Sequence, residues 1–383
     1  MARELVSLGH EVFIVAANNS HLRTSQPQQS RQLVSEKIDG INYMFLPSFP
    51  SSKSIFTRLL NMLTFVIMLA RYQKHIQNIT RPDYVIEATT YIAPFLISYR
   101  IAKNSKAKVI YEVRDLWPAS PIEISGRSRF NPIFFIIGLL QKYTLKNADC
   151  VISTLKYADE YFTTNVIKPK LFAHIQNGIS IRQYSGSFMK KSFYYDEVAQ
   201  IKEKYDGCIG YTGGLGAANG LDVLLGSADE LEKHNLAIII FGKGTNREKY
   251  LSYQKPNVYI FDAIPKEEII QVSKLFDLGF VGGVNRKVHR YGVSANKIFD
   301  MMASKVPVLF CYNTQDSFIE DAQCGIIIND PTSDRVAEEI ITFFKMPKTE
   351  RKAMGVNGYR TALEKYEYAT LTRKLLNAIR VIQ

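Results

Sequence analysis

The feature of this sequence that most constrains its fold is an alternation of short β-branched or aromatic runs with helical segments, repeated in both halves. In the first half the runs lie at residues 11–17, 41–47, 84–88, 108–113, 150–154 and 171–176. In the second half they lie at residues 208–212, 237–241, 258–261, 278–281, 308–310 and 325–329. Such alternation is typical of parallel sheets covered by helices. The helices predicted between and after the runs of the second half include one near residues 220–234 and a long one near residues 349–381. At 383 residues, the chain is long enough for two such domains.

The repeat predicts two Rossmann-like, doubly wound α/β domains in succession. We expect the first domain at residues 1–180 and the second at residues 205–365. A polar stretch at residues 181–204 is interpreted as the linker, and residues 366–383 as a C-terminal helix that packs back towards the first domain. Ligands of doubly wound sheets bind beyond the carboxyl ends of the strands, so a ligand cleft is expected where the two domains face each other.

The beginning of the chain departs from this pattern. Residues 1–8 already have the pattern of a helix, and Gly9-His10 is a typical turn from a helix into a strand. A doubly wound domain normally opens with a strand and a glycine-rich loop that faces phosphate. We therefore predict that the first domain lacks its opening strand.

The net charge of +12 is confined to the first half of the chain. Residues 1–195 hold 24 Lys and Arg against 12 Asp and Glu, whereas residues 196–383 hold 24 of each. A basic domain favours an anionic partner, which is a nucleic acid, an anionic bilayer or a phosphorylated substrate. The charge is dispersed over half the chain and forms no recognisable nucleic-acid-binding module, so no nucleic acid is expected.

Two uncharged stretches interrupt this basic half. Residues 59–70 are bounded by Arg58 and Arg71, and residues 130–141 are bounded by Arg129 and Lys142. Spanning a bilayer takes about 20 residues of helix, so both stretches are too short. They are either two buried helices or two apolar helices that dip into a membrane surface. The basic charge of the same domain favours the membrane interpretation.

The sequence also points to a reducing compartment. The first ten residues lack the apolar core of a secretory signal. The four cysteines are far apart and include no CxxC pair, which argues against a disulfide framework or a structural zinc site. A cytoplasmic protein without a structural zinc site is expected.

The segment at residues 282–307 carries the strongest signal for chemistry. Gly282-Gly283 ends a predicted strand, and Ser294 is placed as the N-cap of a helix that begins near Ala295. A helix N-terminus with a lysine one turn in, Lys297, forms an anion site. Asp300 follows on the same helix face and suits ribose hydroxyls. The alternative is an ordinary capped helix with a Lys–Asp pair. Basic residues before the helix add to the anion site: Arg286, Lys287 and Arg290.

Two further segments are placed at the carboxyl ends of predicted strands. Gly213 and Gly214, in YTGGLG, form either a tight turn or a backbone seat for a sugar or phosphate. The segment resembles a dinucleotide fingerprint only loosely, since Asn219 replaces its last glycine, so a nicotinamide enzyme is disfavoured. In YEVRDLWP, residues Arg114, Asp115 and Trp117 are expected to face the cleft, or to form an ion-paired turn.

Taken together, these segments resemble glycosyltransferase family 4, and most closely its branch of fucosamine transferases of bacterial surface-polysaccharide assembly. The matching motifs follow in order over essentially the whole chain: EVRDLWP, QNGI, YTGGLG, PNVYIFDAIPKEEI, YGVSANKIFDMMASKVPVLF and MGVNGYRTALEKYEYATL. The resemblance implies a GT-B fold and a retaining transferase. It places the nucleotide on the second domain and the acceptor on the first.

The resemblance also implies that no metal is bound, so cationic side chains and helix N-termini must stabilise the departing diphosphate. The family's paired glutamates map to Gly292 and Asp300, so Asp300 inherits the role of binding the ribose. The Arg and Lys that hold the diphosphate in many members map to Gly214 and Asn219, which shifts this role to other cations. The expected catalytic residues are Lys297, Arg290 and Arg286. The expected donor-binding residues are Asp300, Asn296, Ser294, Gly213, Gly214, Lys287, Ala263 and Ile264. The expected acceptor-side residues are Arg114, Asp115 and Trp117.

The expected function is transfer of an N-acetylated amino sugar or deoxysugar from a UDP-linked donor to a lipid-linked or saccharide acceptor. The pathway would be O-antigen or capsule synthesis, at the inner face of the bacterial plasma membrane, with no cofactor beyond the donor substrate. The alternative is a donor-binding homologue without turnover, because the missing glycine loop normally lines the acceptor side.

Overall fold

The computed structural model describes residues 1–382 except 21–22, 24–25, 28, 52–53, 89–90, 129 and 181–190. The chain divides into two compact units. The first unit comprises Met1–Thr154, Ala158–Ile175 and Thr372–Gln383, and the second comprises Leu155–Tyr157 and Gln176–Leu371. Each unit is built from helices and mainly parallel strands, as the alternating sequence pattern predicted.

The first unit contains two sheets. Its elements in chain order are α1 (Ala2–Ser7), β1 (Phe13–Ala17), β2 (Val34–Ile38), β3 (Ile41–Leu46), α2 (Ile55–Thr80), β4 (Tyr84–Glu87), α3 (Phe95–Ser105), β5 (Lys108–Val113), α4 (Ala119–Ser125), α5 (Pro132–Asn147), β6 (Cys150–Ser153), α6 (Ala158–Asn165) and β7 (Phe172–His174). The strand orders are β1-β3-β2 and β4-β5-β6-β7. The second of these sheets is entirely parallel.

The strand β2 is absent from the sequence-based prediction. It pairs antiparallel with β3, and the two strands are joined by Asp39-Gly40 alone. Both turn residues have positive φ angles, 52° and 79°, which is the geometry of a tight two-residue hairpin. The segment VSEKI is mostly exposed and lacks a buried face, so its hydrophobic pattern gave no signal for a strand.

The two sheets of the first unit share one hydrophobic cluster. Met44 and Leu46 of β3 contribute to it, as do Phe65 and Leu69 of α2. Ile97 of α3 lies in the same cluster, and Val15 of β1 and Val85 of β4 pack against it. Helices α2 and α3 therefore link the two sheets into a single core.

The second unit contains one parallel sheet of six strands. Its elements in chain order are α7 (Tyr195–Lys204), β8 (Gly207–Gly214), α8 (Leu221–Gly226), α9 (Ala228–Lys233), β9 (Leu236–Lys243), α10 (Arg247–Leu251), β10 (Val258–Phe261), α11 (Lys266–Ser273), β11 (Leu278–Gly282), α12 (Asn296–Ala303), β12 (Val308–Cys311), α13 (Phe318–Asp321), β13 (Gly325–Ile327), α14 (Ser333–Lys345) and α15 (Lys348–Lys365). The last helix, α16 (Tyr368–Val381), begins in this unit and belongs to the first unit from Thr372 onward. The strand order is β10-β9-β8-β11-β12-β13.

This sheet is buried on both faces, and strand β9 shows how. Ala237, Ile239 and Phe241 belong to one hydrophobic cluster. Ile238 and Ile240 belong to the cluster on the opposite face. Side chains alternate across a strand, so a continuous apolar run serves both layers of helices. The apolar run that predicted this strand is explained by that double burial.

Two predictions about connections need correction. The expected linker at 181–204 contains α7, whose Val198 and Ile201 are buried in the core of the second unit; residues 181–190 lie outside the described residues. The long helix expected near 349–381 is interrupted between α15 and α16. At the interruption the N–H of Ile179 donates to the carbonyl of Tyr366 at 3.0 Å, and the N–H of Tyr368 donates back to Ile179 at 3.1 Å. These bonds replace helical ones, so the chain cannot continue as one helix.

Two shorter segments also differ. The helix expected near 220–234 is divided into α8 and α9 at Ser227, whose hydroxyl donates to the carbonyl of Leu224 at 2.6 Å. Helix α4 lies directly after the YEVRDLWP motif and was not predicted. None of the helices in the described residues is long and apolar enough to cross a membrane.

Candidate functional site

The candidate site lies at the carboxyl ends of β8 and β11. These two strands are neighbours in the sheet of the second unit, and the strand order reverses between them. Strands on one side continue to β9 and β10, and strands on the other side continue to β12 and β13. A reversal of this kind opens a crevice beyond the strand ends, where doubly wound sheets bind their ligands.

The loops that leave these two strands contact each other through their backbones. Gly220 has a φ of +62°, and a Cβ atom there would lie 2.8 Å from the carbonyl carbon and oxygen of Gly283. The N–H of Val284 donates to the carbonyl of Ala218 at 3.4 Å. Only glycine permits both this conformation and this approach, so the two glycines hold the loops side by side.

Lys297, on the first turn of α12, reaches across to β8. Its Nζ donates to Tyr211 Oη and to Asn219 Oδ1, both at 3.0 Å, and lies 4.4 Å from the centre of the Tyr211 ring. Tyr211 Oη in turn donates to the carbonyl of Gly214 at 2.7 Å. A Cβ atom on Gly213 would lie 3.3 Å from Lys297 Nζ. The predicted anion-site lysine and both predicted glycines of β8 therefore come together.

The electrostatic setting of Lys297 is unusual for a half-buried lysine. Among the residues that the structure describes, no carboxylate pairs with its ammonium group. Burial lowers the pKa of Lys297 to about 8, so the group is still mostly protonated near neutral pH. A desolvated cation held only by neutral oxygens is suited to receive an anion.

Asp300 lies one turn beyond Lys297 on α12, and the two do not form the ion pair that was the alternative interpretation. Burial raises the pKa of Asp300 to about 6, and Lys266 opposes this shift. In the described part of the chain its carboxylate has no hydrogen-bond or ion-pair partner. Because a half-buried carboxylate without a partner is costly, the group is poised to accept hydrogen bonds from a ligand.

The start of α12 differs from the sequence prediction. The N-cap is Ala295, without a side-chain cap, and not Ser294. The hydroxyl of Ser294 accepts from the N–H of Asn177 at 3.2 Å, and Asn177 Nδ2 donates to the carbonyl of Ser294 at 2.8 Å. Asn177 belongs to the QNGI motif, so that motif fixes the position of the helix N-terminus. The free N–H groups of the first turn stay available.

The three basic residues before α12 lie on or beside a 3-10 helix at Lys287–Tyr291. Lys287 and Arg290 are exposed, while Arg286 is half-buried. Burial and the charge of Arg286 together lower the pKa of His289 to about 4, so this histidine is neutral. Its ring lies edge-on to Tyr312, with ring centres 5.0 Å apart.

The segment Leu155–Tyr157 anchors the end of this basic loop. The N–H of Tyr157 donates to the carbonyl of Tyr291 at 2.9 Å. Gly292 has a φ of +120°, and a Cβ atom there would lie 2.9 Å from the backbone nitrogen of Lys156. Lys156 Nζ pairs with the buried Asp316 at 3.0 Å. These contacts explain why position 292 is a glycine.

The remaining donor-side residues are placed around the same edge. Ala263 and Ile264 lie in the loop after β10, separated from the strand by Asp262. Ala263 is exposed and Ile264 packs against the core. Asn296 is exposed as the first residue of α12. Among the described residues, no group of three or more His, Cys, Asp or Glu side chains is arranged to hold a metal ion.

The acceptor-side residues belong to the first unit and directly follow β5. Arg114 Nε donates to Glu112 Oε1 at 2.9 Å, and Glu112 is buried. Arg114 and Asp115 are exposed, and Trp117 is half-buried before Pro118. A second buried carboxylate, Glu87, ends the neighbouring strand β4 and accepts from Ser98 Oγ. Sequence inspection did not select Glu87 or Glu112, since each stands alone in an apolar run.

Comparison with known structures decides the architecture. Sucrose-phosphate synthase from Thermosynechococcus elongatus superimposes with a TM-score of 0.73 at 14% identity, covering 100% of this chain and 91% of that chain. WaaG, a glycosyltransferase involved in lipopolysaccharide biosynthesis, gives a TM-score of 0.66 at 15% identity, covering 97% and 92%. The fold is GT-B. HepE from Anabaena, in complex with UDP-glucose, gives a TM-score of 0.63 at 13% identity, covering 90% and 87%.

The sequence match is to a part of this GT-B chain. Residues 1–178 match the family described as glycosyl transferase 4-like domain. No curated protein matches the chain in sequence. The domain match confirms the family-4 resemblance for this part of the chain and, with the GT-B fold, supports the prediction of a transferase.

Proposed function

We propose that this protein transfers a sugar from a nucleotide diphosphate donor, and that the donor binds at the carboxyl ends of β8 and β11. The observation that carries the proposal is the ammonium group of Lys297, held beside Gly213 by two neutral oxygens and by no carboxylate. A donor diphosphate would supply the missing negative charge. The N-terminus of α12 adds N–H groups that favour the same anion.

The roles of the donor-side residues follow from charge and position. Lys297 would stabilise the diphosphate as it departs, because charge on the leaving group grows in the transition state. Arg286, Lys287 and Arg290 precede the helix and would add positive charge along the same path. Asp300 would accept hydrogen bonds from the ribose hydroxyls. Ala263, Ile264 and Asn296 would line the nucleotide.

We further propose that the donor is UDP-linked, that the reaction retains the anomeric configuration, and that no metal takes part. The sugar would be an N-acetylated amino sugar or a deoxysugar. The motifs EVRDLWP and YGVSANKIFDMM, which resemble those of fucosamine transferases, support this assignment. The structure of HepE with UDP-glucose supports a uridine nucleotide in this fold. Arg114, Asp115 and Trp117 would contribute to the acceptor side.

We also propose a peripheral location at the inner face of a bacterial plasma membrane, supported by an exposed apolar stripe on α2. Phe56, Leu59, Leu63 and Ile67 recur every three or four residues and are 49–65% exposed. Phe65 and Leu69, on the opposite side of the helix, are buried in the core. The uncharged stretch of α2 at residues 59–70 thus has apolar side chains on both sides and is covered on one side, so its exposed side favours a second apolar environment.

Helix α5 repeats this arrangement. Ile133, Phe135, Ile136 and Leu139 are exposed, whereas Leu145 is fully buried. Helix α3 contacts both α2 and α5 and presents Arg100 and Lys103 to solvent. Apolar stripes interleaved with basic residues suit the headgroup region of an anionic bilayer. Of the basic residues flanking the two stretches, Arg58, Arg71 and Lys142 are exposed, and Arg129 lies outside the described residues.

This surface supports a lipid-linked acceptor in O-antigen or capsule synthesis, because such an acceptor is held at the membrane. A saccharide acceptor in solution remains the alternative. WaaG, which shares the fold, is described as involved in lipopolysaccharide biosynthesis.

The experiment is a screen of donor hydrolysis and nucleotide binding against a panel of UDP-, GDP- and dTDP-sugars. Release of UDP from a UDP-linked amino sugar or deoxysugar is expected. In Lys297→Met, release should fall strongly and nucleotide binding should weaken to a lesser extent. Binding without hydrolysis or transfer would favour the alternative of a donor-binding homologue without turnover. Failure of every nucleotide to bind would overturn the proposed donor site.

A further inference from the structure

A cavity of about 600 Å³ lies at the opposite edge of the sheet in the second unit. Phe276 and Asp277 line it and directly precede β11, and Pro307 lines it and directly precedes β12. The cavity is therefore at the amino ends of the strands, whereas the proposed donor site is at their carboxyl ends. A volume of this size is in the range of sites for small molecules, roughly 300–1,000 Å³.

The lining of this cavity is strongly basic. Its six cationic residues are Lys202, Lys274, Lys305, Lys348, Arg351 and Lys352. The only carboxylate among the described lining residues is Asp277. That carboxylate is already engaged, since it pairs with Lys202 at 3.0 Å and accepts from the N–H of Cys208 at 3.0 Å.

Four of these cations have no carboxylate partner among the described residues. In the described residues, Lys305, Lys348 and Lys352 form no ion pair, and all three are exposed. Arg351 is half-buried with its guanidinium 4.9 Å from the ring centre of Phe344, and its buried Nε has no hydrogen-bond partner among the described residues. The cluster is not part of a generally basic surface, because residues 196–383 hold equal numbers of basic and acidic residues. Like charges held together in this way favour a bound anion.

We propose that this cavity, which we call the basic cavity, binds a small anion with at least two phosphoryl groups. Four separate parts of the fold supply the cations: α7, the C-cap residue that follows α11, the loop after α12, and α15. They surround the space from several directions, which suits a compact multivalent anion. The basic cavity is distinct from the donor site, and its occupancy does not depend on the proposed transferase reaction.

The test is calorimetric titration of the full chain with inorganic pyrophosphate at about 0.15 M salt, where exposed charges are screened beyond about 8 Å. The measurement is made in the Lys297→Met background, which removes the main cation of the donor site. Binding is expected to persist in this background. Adding Lys348→Ala and Lys352→Ala is expected to weaken it by about tenfold or more, as loss of a charge-assisted hydrogen bond does.

The matched control replaces two exposed basic residues of α16, Arg373→Ala and Lys374→Ala, which removes the same charge elsewhere. Equal weakening in this control would mean that net charge alone attracts the anion, and would overturn the proposal. Absence of pyrophosphate binding in the Lys297→Met background would overturn it as well. All the substituted lysines on α15 are exposed, so unchanged melting temperatures are expected.

A lipid headgroup also carries phosphate and could occupy the same cations. A second experiment, binding to lipid vesicles, distinguishes a lipid headgroup from a soluble anion. Binding to vesicles that contain phosphatidylglycerol is expected to be unchanged by Lys348→Ala/Lys352→Ala. Loss of vesicle binding with pyrophosphate binding intact would identify the cluster as a lipid-contact surface, and the proposed soluble anion would be wrong.

Discussion

Lys297 Nζ lies 3.0 Å from Tyr211 Oη and 4.4 Å from the centre of the same ring. The hydroxyl donates its own proton to Gly214, so it presents a lone pair to the ammonium group. Both the ring face and the hydroxyl oxygen favour the charged form. Burial lowers the pKa of Lys297 to about 8.

Replacing Lys297 with methionine is expected to lower turnover by about 10²–10³-fold, the usual cost of removing a group that stabilises charge in the transition state. The affinity for donor should fall less than turnover. Steady-state kinetics and nucleotide titration measure the two effects. Lys365→Met, an exposed position on α15, serves as the control. Wild-type turnover in Lys297→Met would place the catalytic cation elsewhere.

Asp300 gives the donor site a pH dependence. Its pKa is raised to about 6, so its carboxylate is protonated as the pH falls below that value and can no longer accept two hydrogen bonds. UDP affinity is expected to fall between pH 7 and pH 5. Asp300→Asn should bind UDP more weakly at pH 7, by roughly 1–3 kcal/mol, and show a flat profile. A wild-type profile retained in the variant would remove Asp300 from the site.

The same shift has a consequence for stability, with the opposite sign. Because the folded pKa lies above the unfolded value of 3.8, protonation favours the folded state, and this stabilisation is lost as the pH rises through about 6. At pH 7, Asp300→Asn should therefore be more stable than wild type, by on the order of 1–2 kcal/mol. Urea unfolding at pH 7 and pH 4 measures the difference. An equal difference at both pH values would contradict this account.

The contact between Gly220 and Gly283 predicts that alanine substitutions at two nearby glycines will differ in their effect on stability. Gly220→Ala should be destabilising by about 1–3 kcal/mol, because φ is positive and the new Cβ meets the backbone of Gly283. Gly214→Ala is the matched control, since a Cβ atom there has its nearest neighbour at 3.7 Å. Thermal unfolding compares the two. Similar melting temperatures would show that the loops separate at little cost.

Asn177 is expected to act on the donor site through α12. Asn177→Ala removes the donor to the carbonyl of Ser294 and should weaken UDP binding and lower stability by roughly 1 kcal/mol. Ser294→Ala removes only the hydroxyl that accepts from the backbone of Asn177 and should have a smaller effect. Parallel titrations measure both variants. A larger effect of Ser294→Ala would show that the hydroxyl of Ser294, and not the side chain of Asn177, holds the start of α12.

The apolar stripe on α2 predicts membrane binding that does not depend on folding stability. The double variant Leu59→Glu/Leu63→Glu should reduce sedimentation with anionic vesicles by about tenfold or more. Each substitution places a charge where the proposed membrane contact would bury an apolar side chain. Both side chains are 56% exposed, so the melting temperature should stay within about 2 °C. Val356→Glu, an exposed apolar position of the second unit, is the control. Undiminished sedimentation would exclude this stripe as the contact.

Much of the fold was predictable because strand periodicity and helix patterns are local properties of the chain. The six strands of the second unit were all placed from their apolar runs, since a parallel sheet buries both faces of each strand. The predictions that failed involve elements that have a weak hydrophobic pattern or that depend on residues far away in the sequence. Strand β2 is polar and forms because it pairs with β3. The chain breaks before α16 because Ile179, far away in sequence, forms backbone hydrogen bonds with Tyr366 and Tyr368.

For the site, the sequence by itself determined which residue types carry charge and which strand ends they follow. It selected Lys297, Asp300, Gly213 and Gly214 from helix spacing and from glycines after a strand. Only the tertiary structure decided their partners. Tyr211 and Asn219 lie 86 and 78 residues from Lys297 along the chain, and they meet it because β8 and β11 are adjacent in the sheet. Asn177 lies 117 residues from its partner Ser294. Hydrogen-bond partners are set by distances of about 3 Å in space, and local sequence patterns carry no information on such distances.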